Sequence, residues 1–284
     1  MSTPPISHPG TEAHTLHSDI VGDDYEISVI PPPPGFASGP VPVVYLLDGN
    51  IQSGLASSAV RMLIATGEIA PVYVAGIGYP GGNDPAIFQV KRNRDMTSTK
   101  NDELAETGRR MFGVDDIPTG GAAAFLGFIT DELRPFLAER YQVADDSTII
   151  GHSSGALFVS WVLFHHTNAF QRYVSLSPAP LGDDDPARWE EEYAAGHSDL
   201  DAHVFLAVGT DEHVPGPYAA EGLAAEMSQV GPECTRLTRH LGAALASRNY
   251  PSLRLHTYIA ESHTHFTIPG AAIPMGLRYV FAPP

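Results

Sequence analysis

The chain has 284 residues, of which 43% are hydrophobic and 17% are charged, enough for the buried core of one α/β domain. Its formal net charge is −17, which excludes nucleic acid and anionic membranes as expected partners because both require a basic surface. The single cysteine, Cys234, excludes an intrachain disulfide, and the N-terminal sequence lacks the pattern of a signal peptide. We therefore expect a cytoplasmic protein with no membrane partner.

Strand-like and helix-like stretches alternate along the chain after a Pro-, Ser- and Thr-rich start, residues 1–12, which we predict to be frayed. The predicted strands are 25–30, 41–47, 72–77, 147–150, 173–176, 203–208 and 253–259. The predicted helices are 53–66, 121–141 with a kink at Pro135, 155–166, 218–230, 235–246 and 271–281. This alternation predicts an α/β fold of one domain over 1–284, with a mostly parallel central sheet flanked by helices on both faces.

Two stretches lack this periodicity. Residues 78–118 are predicted to form a long irregular region that lines a pocket, because loops of this length in compact domains usually have a function. Residues 178–200 are predicted to supply another pocket wall, and the acidic residues 183–185 within it to be solvated. Arg92 and Arg94 could bind an anionic substrate, but Arg-Asp pairs of this kind more often tie loops together, which is the interpretation we favour.

A nucleophile motif stands between the strand 147–150 and the helix that follows. Gly151-His152-Ser153-Ser154-Gly155 has the form G-x-S-x-G, which places a serine on a sharp turn at the carboxyl end of a strand. Glycines two positions on each side let the strand and the helix approach each other closely. With strand, turn and helix all present, the pattern predicts Ser153 as a nucleophile.

A serine hydroxyl requires a base, usually histidine, oriented by a carboxylate. In this fold the acid and then the histidine follow the serine along the chain. Asp211 and Glu212 follow one predicted strand, and His263 and His265 follow the last, so the order is correct and either member of each pair remains open. A metal site at His263-x-His265 is disfavoured because no cysteine or third ligand is evident nearby, and we expect neither a metal nor a cofactor.

Two backbone N–H groups are needed to stabilise the oxyanion of an acyl-transfer reaction. One is predicted to be that of Ser154, directly after the nucleophile. The other is predicted in the loop after the strand 41–47, at Gly49 or Asn50.

Several segments together resemble the Putative esterase family of the α/β-hydrolase superfamily, the branch that contains enterochelin-esterase-like, esterase D-like and antigen 85-like proteins. The resemblance covers most of the chain from about residue 25. The segments are Val43–Gly49, Arg92–Thr97, Glu132–Phe136 with Tyr141, Gly151–Gly155, Ala207–Glu212, Glu261 with His263, and Gly276–Tyr279.

The resemblance implies catalysis by Ser153, His263 and Glu212, with the N–H groups of Asn50 and Ser154 forming the oxyanion hole. The sequence departs from the family pattern at His265, where similar proteins often carry serine, and at Asp211, which directly precedes Glu212.

These residues predict a serine carboxylic ester hydrolase that acts on a small to medium acyl ester through an acyl-enzyme. A siderophore esterase of the enterochelin type and an acyltransferase on the same scaffold are the alternatives. A non-catalytic binding protein is disfavoured because serine, acid and histidine are all present. The expected partner is a small-molecule ester, and a homo-oligomer is compatible with the sequence.

Overall fold

The computed structural model describes residues 10–114, 117–182 and 184–283. Eight strands form one sheet, in the spatial order β1-β2-β4-β3-β5-β6-β7-β8. They are β1 Glu12–Ser18, β2 Asp23–Ile30, β3 Val41–Leu46, β4 Tyr73–Gly78, β5 Val143–His152, β6 Arg172–Leu176, β7 His203–Gly209 and β8 Arg254–Ala260.

The sheet is parallel from β4 through β3 to β8, and β1 and β2 are added antiparallel at one edge. The carboxyl ends of six strands therefore lie along one edge, where ligand sites of open α/β sheets are found. The predicted strand 41–47 is nearly all buried, as expected for a strand covered on both faces.

Helices cover both faces of this sheet. They are α1 Gly49–Ala65, α2 Pro85–Met96, α3 Asp102–Phe112, α4 Ala122–Gly127, α5 Arg134–Arg140, α6 Ser154–His165, α7 Pro186–Ala194, α8 Glu221–Arg248 and α9 Ile268–Val280. One buried apolar cluster contains residues of α1 and α9, and a second contains residues of α4, α6 and α8. The prediction of a mostly parallel α/β sheet with helices on both faces is confirmed. In the described part of the chain, every helix is too short or too polar to span a membrane.

Residues 78–118 are not the irregular region that the sequence suggested, because they contain α2 and α3. Asp84 caps α2 by accepting from the backbone of Ala86, and Pro85 occupies its first turn. The buried side of α2 carries the polar residues Arg92, Asn93 and Asp95. A helix that buries charged side chains has no apolar stripe, so hydrophobic periodicity could not reveal it.

Three further elements differ from prediction. The two helices expected between 218 and 246 are one helix, α8, which continues through Pro232. The expected helix over 121–141 is α4 and α5 joined by a π-helical turn, Phe128–Leu133, with Pro135 in the first turn of α5. Of the start predicted to be frayed, residues 1–9 lie outside the described residues, and Glu12 already begins β1.

Candidate active site

Ser153 lies on a strained turn between β5 and α6. Its backbone dihedrals are φ 60° and ψ −121°, a region that residues other than glycine rarely adopt. A Cβ atom at Gly151 would lie 2.2 Å from the carbonyl oxygen of Gly155, so no larger residue fits there without a shift of the backbone. The strand, turn and helix expected around the motif are present, and the turn presents Ser153 at the carboxyl edge of the sheet.

Asn50 and Ser154 carry the two backbone N–H groups that were considered for the oxyanion hole. Asn50 is in the first turn of α1 and Ser154 begins α6, so their N–H groups have no carbonyl partner within their helices. The preceding strands, β3 and β5, are paired neighbours, which brings the two helix starts to the same edge. The side chain of Asn50 is fixed by Tyr79, whose backbone N–H and carbonyl lie 2.7 Å and 3.0 Å from its amide oxygen and nitrogen.

Glu212 is a fully buried carboxylate just beyond the end of β7. Its Oε1 accepts hydrogen bonds from the hydroxyl of Ser177 at 2.6 Å and from the backbone N–H of Gly209 at 2.7 Å. Its Oε2 lies 2.7 Å from Nδ1 of His265. Asp211, the other acidic candidate, instead contacts the hydroxyl of Thr210.

The carboxylate thus contacts His265 and not His263, the histidine that the family resemblance had indicated. His265 is only 3% exposed, and its Nδ1 is bound by Glu212, which leaves Nε2 available. Nδ1 of His263 lies 3.3 Å from the hydroxyl of Thr267 at the surface. The physical reason is the turn after β8, where Ser262 has a φ of 60° and breaks the extended alternation. Among the described contacts, the Ser153 hydroxyl has no hydrogen bond to either histidine.

His152 joins the serine turn to the histidine loop. Its Nε2 lies 2.8 Å from the backbone carbonyl of His265, and the two rings are 4.6 Å apart. Because a carbonyl can only accept, the His152 ring donates this bond. Burial lowers the pKa of His152 well below its usual range, and His265 and Arg92 lower it further. His152 is therefore neutral, and sequence analysis gave it no role.

A cysteine also lies beside the acid and the histidine, contrary to what the sequence suggested. The sulfur of Cys234 is 3.9 Å from Nδ1 of His265, and with Glu212 these groups lie close enough to hold a metal ion. Burial, and then the charge of Glu212, raise the pKa of the Cys234 thiol. Nδ1 of His265 faces the Glu212 carboxylate at 2.7 Å and is farther from the sulfur, an arrangement that matches a hydrogen-bonded pair of acid and histidine.

The two arginines considered as anion-binding residues are held in ion pairs. Arg92 binds Asp48, and Arg94 binds Asp23 and Asp95. In the acidic stretch 183–185, Asp183 lies outside the described residues, Asp184 accepts from Ser98, and Asp185 caps α7. Ion pairs with aspartate, the interpretation favoured over binding of an anionic substrate, are thus present for both arginines.

Large apolar side chains are exposed next to the candidate site. Ile51 follows Asn50 and is 62% exposed, and Phe266 follows His265 and is 61% exposed. A cavity of about 360 Å³, lined by Tyr45, Arg134 and Ser147 among others, lies instead where β5 begins and away from Ser153.

Comparisons with known proteins identify the family of this chain. The model of the Putative esterase family matches residues 18–230, three quarters of the chain. The chain belongs to this family. The resemblance stated from the sequence is thus confirmed, and the curated relatives that the chain matches are named esterases.

Among curated proteins, the chain is 36% identical over 181 residues to the ferri-bacillibactin esterase BesA of Bacillus subtilis, covering 60% of this chain and 59% of that protein. It is 28% identical over 258 residues to the siderophore enterobactin esterase of Emericella nidulans, covering 84% of this chain and 81% of that one. Among solved structures, the BES protein from Bacillus cereus superposes over the whole length of both chains with a TM-score of 0.77 and 25% identity.

Proposed function

We propose that this protein is a serine esterase in which Ser153 is the nucleophile, His265 the base and Glu212 the acid, with the N–H groups of Asn50 and Ser154 forming the oxyanion hole. The observation that carries the proposal is the buried pair of Glu212 and His265, 2.7 Å apart, at the sheet edge that presents the strained Ser153 turn. The base is His265 rather than His263 because, among the described contacts, the orienting carboxylate of Glu212 binds His265, whereas His263 contacts the hydroxyl of Thr267.

In the proposed reaction, the Ser153 oxygen attacks the ester carbonyl carbon while its proton passes to Nε2 of His265. The carbonyl oxygen becomes negatively charged and accepts from the two backbone N–H groups. When the tetrahedral intermediate collapses, the ester bond breaks, His265 protonates the leaving alcohol, and Ser153 carries the acyl group. Water then attacks this acyl-enzyme by the same steps, and the carboxylic acid leaves.

Siderophore esters are the natural substrates that we propose, since the two curated relatives above are named for such substrates. The exposed Ile51 and Phe266 beside the site support a substrate with apolar or aromatic surface, because such a surface would be buried against them. Transfer of the acyl group to a second alcohol remains the competing outcome on the same scaffold. We further propose a cytoplasmic enzyme that acts as one α/β-hydrolase domain.

The test is hydrolysis of p-nitrophenyl esters from acetate to decanoate and of cyclic trimeric catecholate and hydroxamate siderophore esters, with and without added alcohol acceptor. We expect hydrolysis that is lost in Ser153→Ala, with the larger kcat/KM on a siderophore ester. A parent protein that is inert on every ester, and that an active-serine phosphonate does not label, would contradict the proposal. Acylated acceptor as the main product would assign the acyltransferase alternative.

A further inference from the structure

Arg92, on the buried side of α2, forms hydrogen bonds to three separate residues with its guanidinium group. Its Nε and Nη2 donate to the two carboxylate oxygens of Asp48, at 2.8 Å and 2.9 Å. Nη2 also donates to the backbone carbonyl of His152 at 2.8 Å, and Nη1 to the hydroxyl of Ser154 at 2.9 Å. The side chain is only 8% exposed, so these contacts take the place of water.

These partners flank the groups that would hold the oxyanion. Asp48 directly precedes Gly49 and Asn50, while His152 and Ser154 stand on either side of Ser153. One side chain therefore ties the start of α1 to the start of α6. The two N–H groups proposed for the oxyanion hole belong to Asn50 and Ser154, one on each tied segment.

Asp48 stands at the position before α1 where an aspartate normally caps the helix. Asp84 and Asp185 do this at α2 and α7, where their carboxylates accept backbone N–H bonds. The carboxylate of Asp48 makes no such bond: its backbone is left-handed, with φ 56° and ψ 41°, rather than extended as at Asp84 and Asp185, and both of its oxygens are bound by Arg92. Among the described contacts, the N–H groups of Gly49 and Asn50 have no acceptor, whereas those of Ile51 and Gln52 donate to the carbonyl of Asp48.

We propose that Arg92 is a positioning residue for the oxyanion hole: it holds the Asp48 carboxylate away from the N–H of Asn50 and fixes Ser154 beside it. This inference rests on the proposed esterase function. A lysine would preserve the charge beside Asp48, but its compact ammonium group cannot form the forked contacts to all three partners. A positive charge alone therefore cannot hold the three partners, and the planar guanidinium group is required.

The test compares Arg92→Lys with Arg94→Lys, a matched change two residues away. The described side-chain contacts of Arg94 are with Asp23, Tyr25 and Asp95, all outside the serine turn. We expect kcat to fall about 10- to 100-fold in Arg92→Lys, a misplaced donor costing less than a deleted one, while KM changes by less than about twofold. Arg94→Lys should keep the parent kcat.

Inhibition by an arylboronic acid, which forms a tetrahedral adduct with an active serine, separates positioning from general loosening. The inhibition constant should weaken by about the same factor as kcat/KM in Arg92→Lys, since both depend on the oxyanion donors. An unchanged kcat, or an equal loss of kcat in Arg94→Lys, would overturn the inference.

Melting temperature and far-ultraviolet circular dichroism check that each variant is folded. If Arg92→Lys does not fold, the test uses Ser154→Ala, which removes only the contact to Nη1 of Arg92. A loss of kcat of about 3- to 10-fold at constant KM supports the inference, and an unchanged kcat overturns it. Failure of the esterase proposal itself would be recognised separately, because Ser153→Ala would then hydrolyse esters as fast as the parent.

Discussion

The serine turn and the histidine loop are both short segments that follow parallel strands of the sheet, yet only one of them could be interpreted from its own sequence. In the serine turn, Gly151 is required by its contacts with Gly155 and Ala156, within five residues, so this part of the motif contains its own structural reason. The histidine loop contains two candidate histidines, and what distinguishes them is Glu212, more than fifty residues away in the chain.

The difference lies in the range of the interactions. A turn between a strand and a helix is governed by local backbone geometry, which a sequence states directly. The partner of a histidine depends on how the chain turns after β8, where Ser262 adopts a left-handed conformation that no glycine or asparagine announces. Local motifs are thus the more reliable part of a sequence-based site prediction.

Of the changes that test this comparison, a change of the acid Glu212 should have the largest effect, which is on kcat. Glu212→Gln should lower kcat about 10³- to 10⁴-fold, because the orientation and charge stabilisation of His265 are lost. Asp211→Asn is the matched control and should change kcat by less than about twofold, since Asp211 contacts Thr210. Steady-state kinetics on one p-nitrophenyl ester measure both, and equal losses would show that the two carboxylates are not distinguished as described.

Gly151→Ala tests the serine turn, the segment governed by local contacts. The added methyl group would meet the carbonyl oxygen of Gly155 at 2.2 Å, and we expect the free energy of unfolding to fall by about 3 kcal/mol. Gly222→Ala, on α8 where a Cβ meets nothing within 4 Å, should instead leave stability unchanged or slightly raised. Urea unfolding measures both, and a Gly151 variant as stable as the parent would mean that the turn does not require a glycine.

Ser177→Ala tests the long-range interaction, that between Glu212 and the histidine loop. Its hydroxyl donates to Glu212 at 2.6 Å, so its removal should leave the carboxylate less well oriented and lower kcat about 10-fold. Ser175→Ala removes a buried hydroxyl of β6 that donates to the backbone carbonyl of Ala156 on α6, and it should keep kcat near the parent value. A larger loss in Ser175→Ala than in Ser177→Ala would contradict the account.

The smallest expected effect is on the pH dependence of the unfolding free energy. His152 is buried with a lowered pKa, so below about pH 6.5 the unfolded chain takes up a proton that the folded protein does not, and stability falls with decreasing pH. In His152→Gln this contribution disappears, and the slope of unfolding free energy against pH between 6.5 and 5 should decrease by up to about 1.4 kcal/mol per pH unit. The exposed His240→Gln should keep the parent slope.

Most of the sheet could be predicted from the sequence because its strands, such as Val41–Leu46, are continuous apolar runs. β1 was missed because it is an edge strand with mostly exposed or half-buried residues, and so has little apolar signal. α2 was missed for the opposite reason, because it buries Arg92, Asn93 and Asp95.

In the candidate site, Ser153, Ser154, Asn50 and Glu212 were named from the sequence, and His265 only as the alternative to His263. The hydrogen-bond partners of His152 and Arg92 were not predicted: His152 was given no role, and for Arg92 only a pair with an aspartate was expected. Both act through side chains that reach across more than forty residues of sequence, and no local pattern specifies such a partner. Long-range hydrogen bonds of buried polar groups become visible only in the folded structure.

The central claim, that His265 and not His263 serves Ser153, is tested most directly by measuring kcat for His265→Ala and His263→Ala on the same ester. We expect His265→Ala to lose about 10⁴-fold or more and His263→Ala to stay within about threefold of the parent, with both variants folded. A protein that loses its activity with His263 and keeps it with His265 would contradict the account.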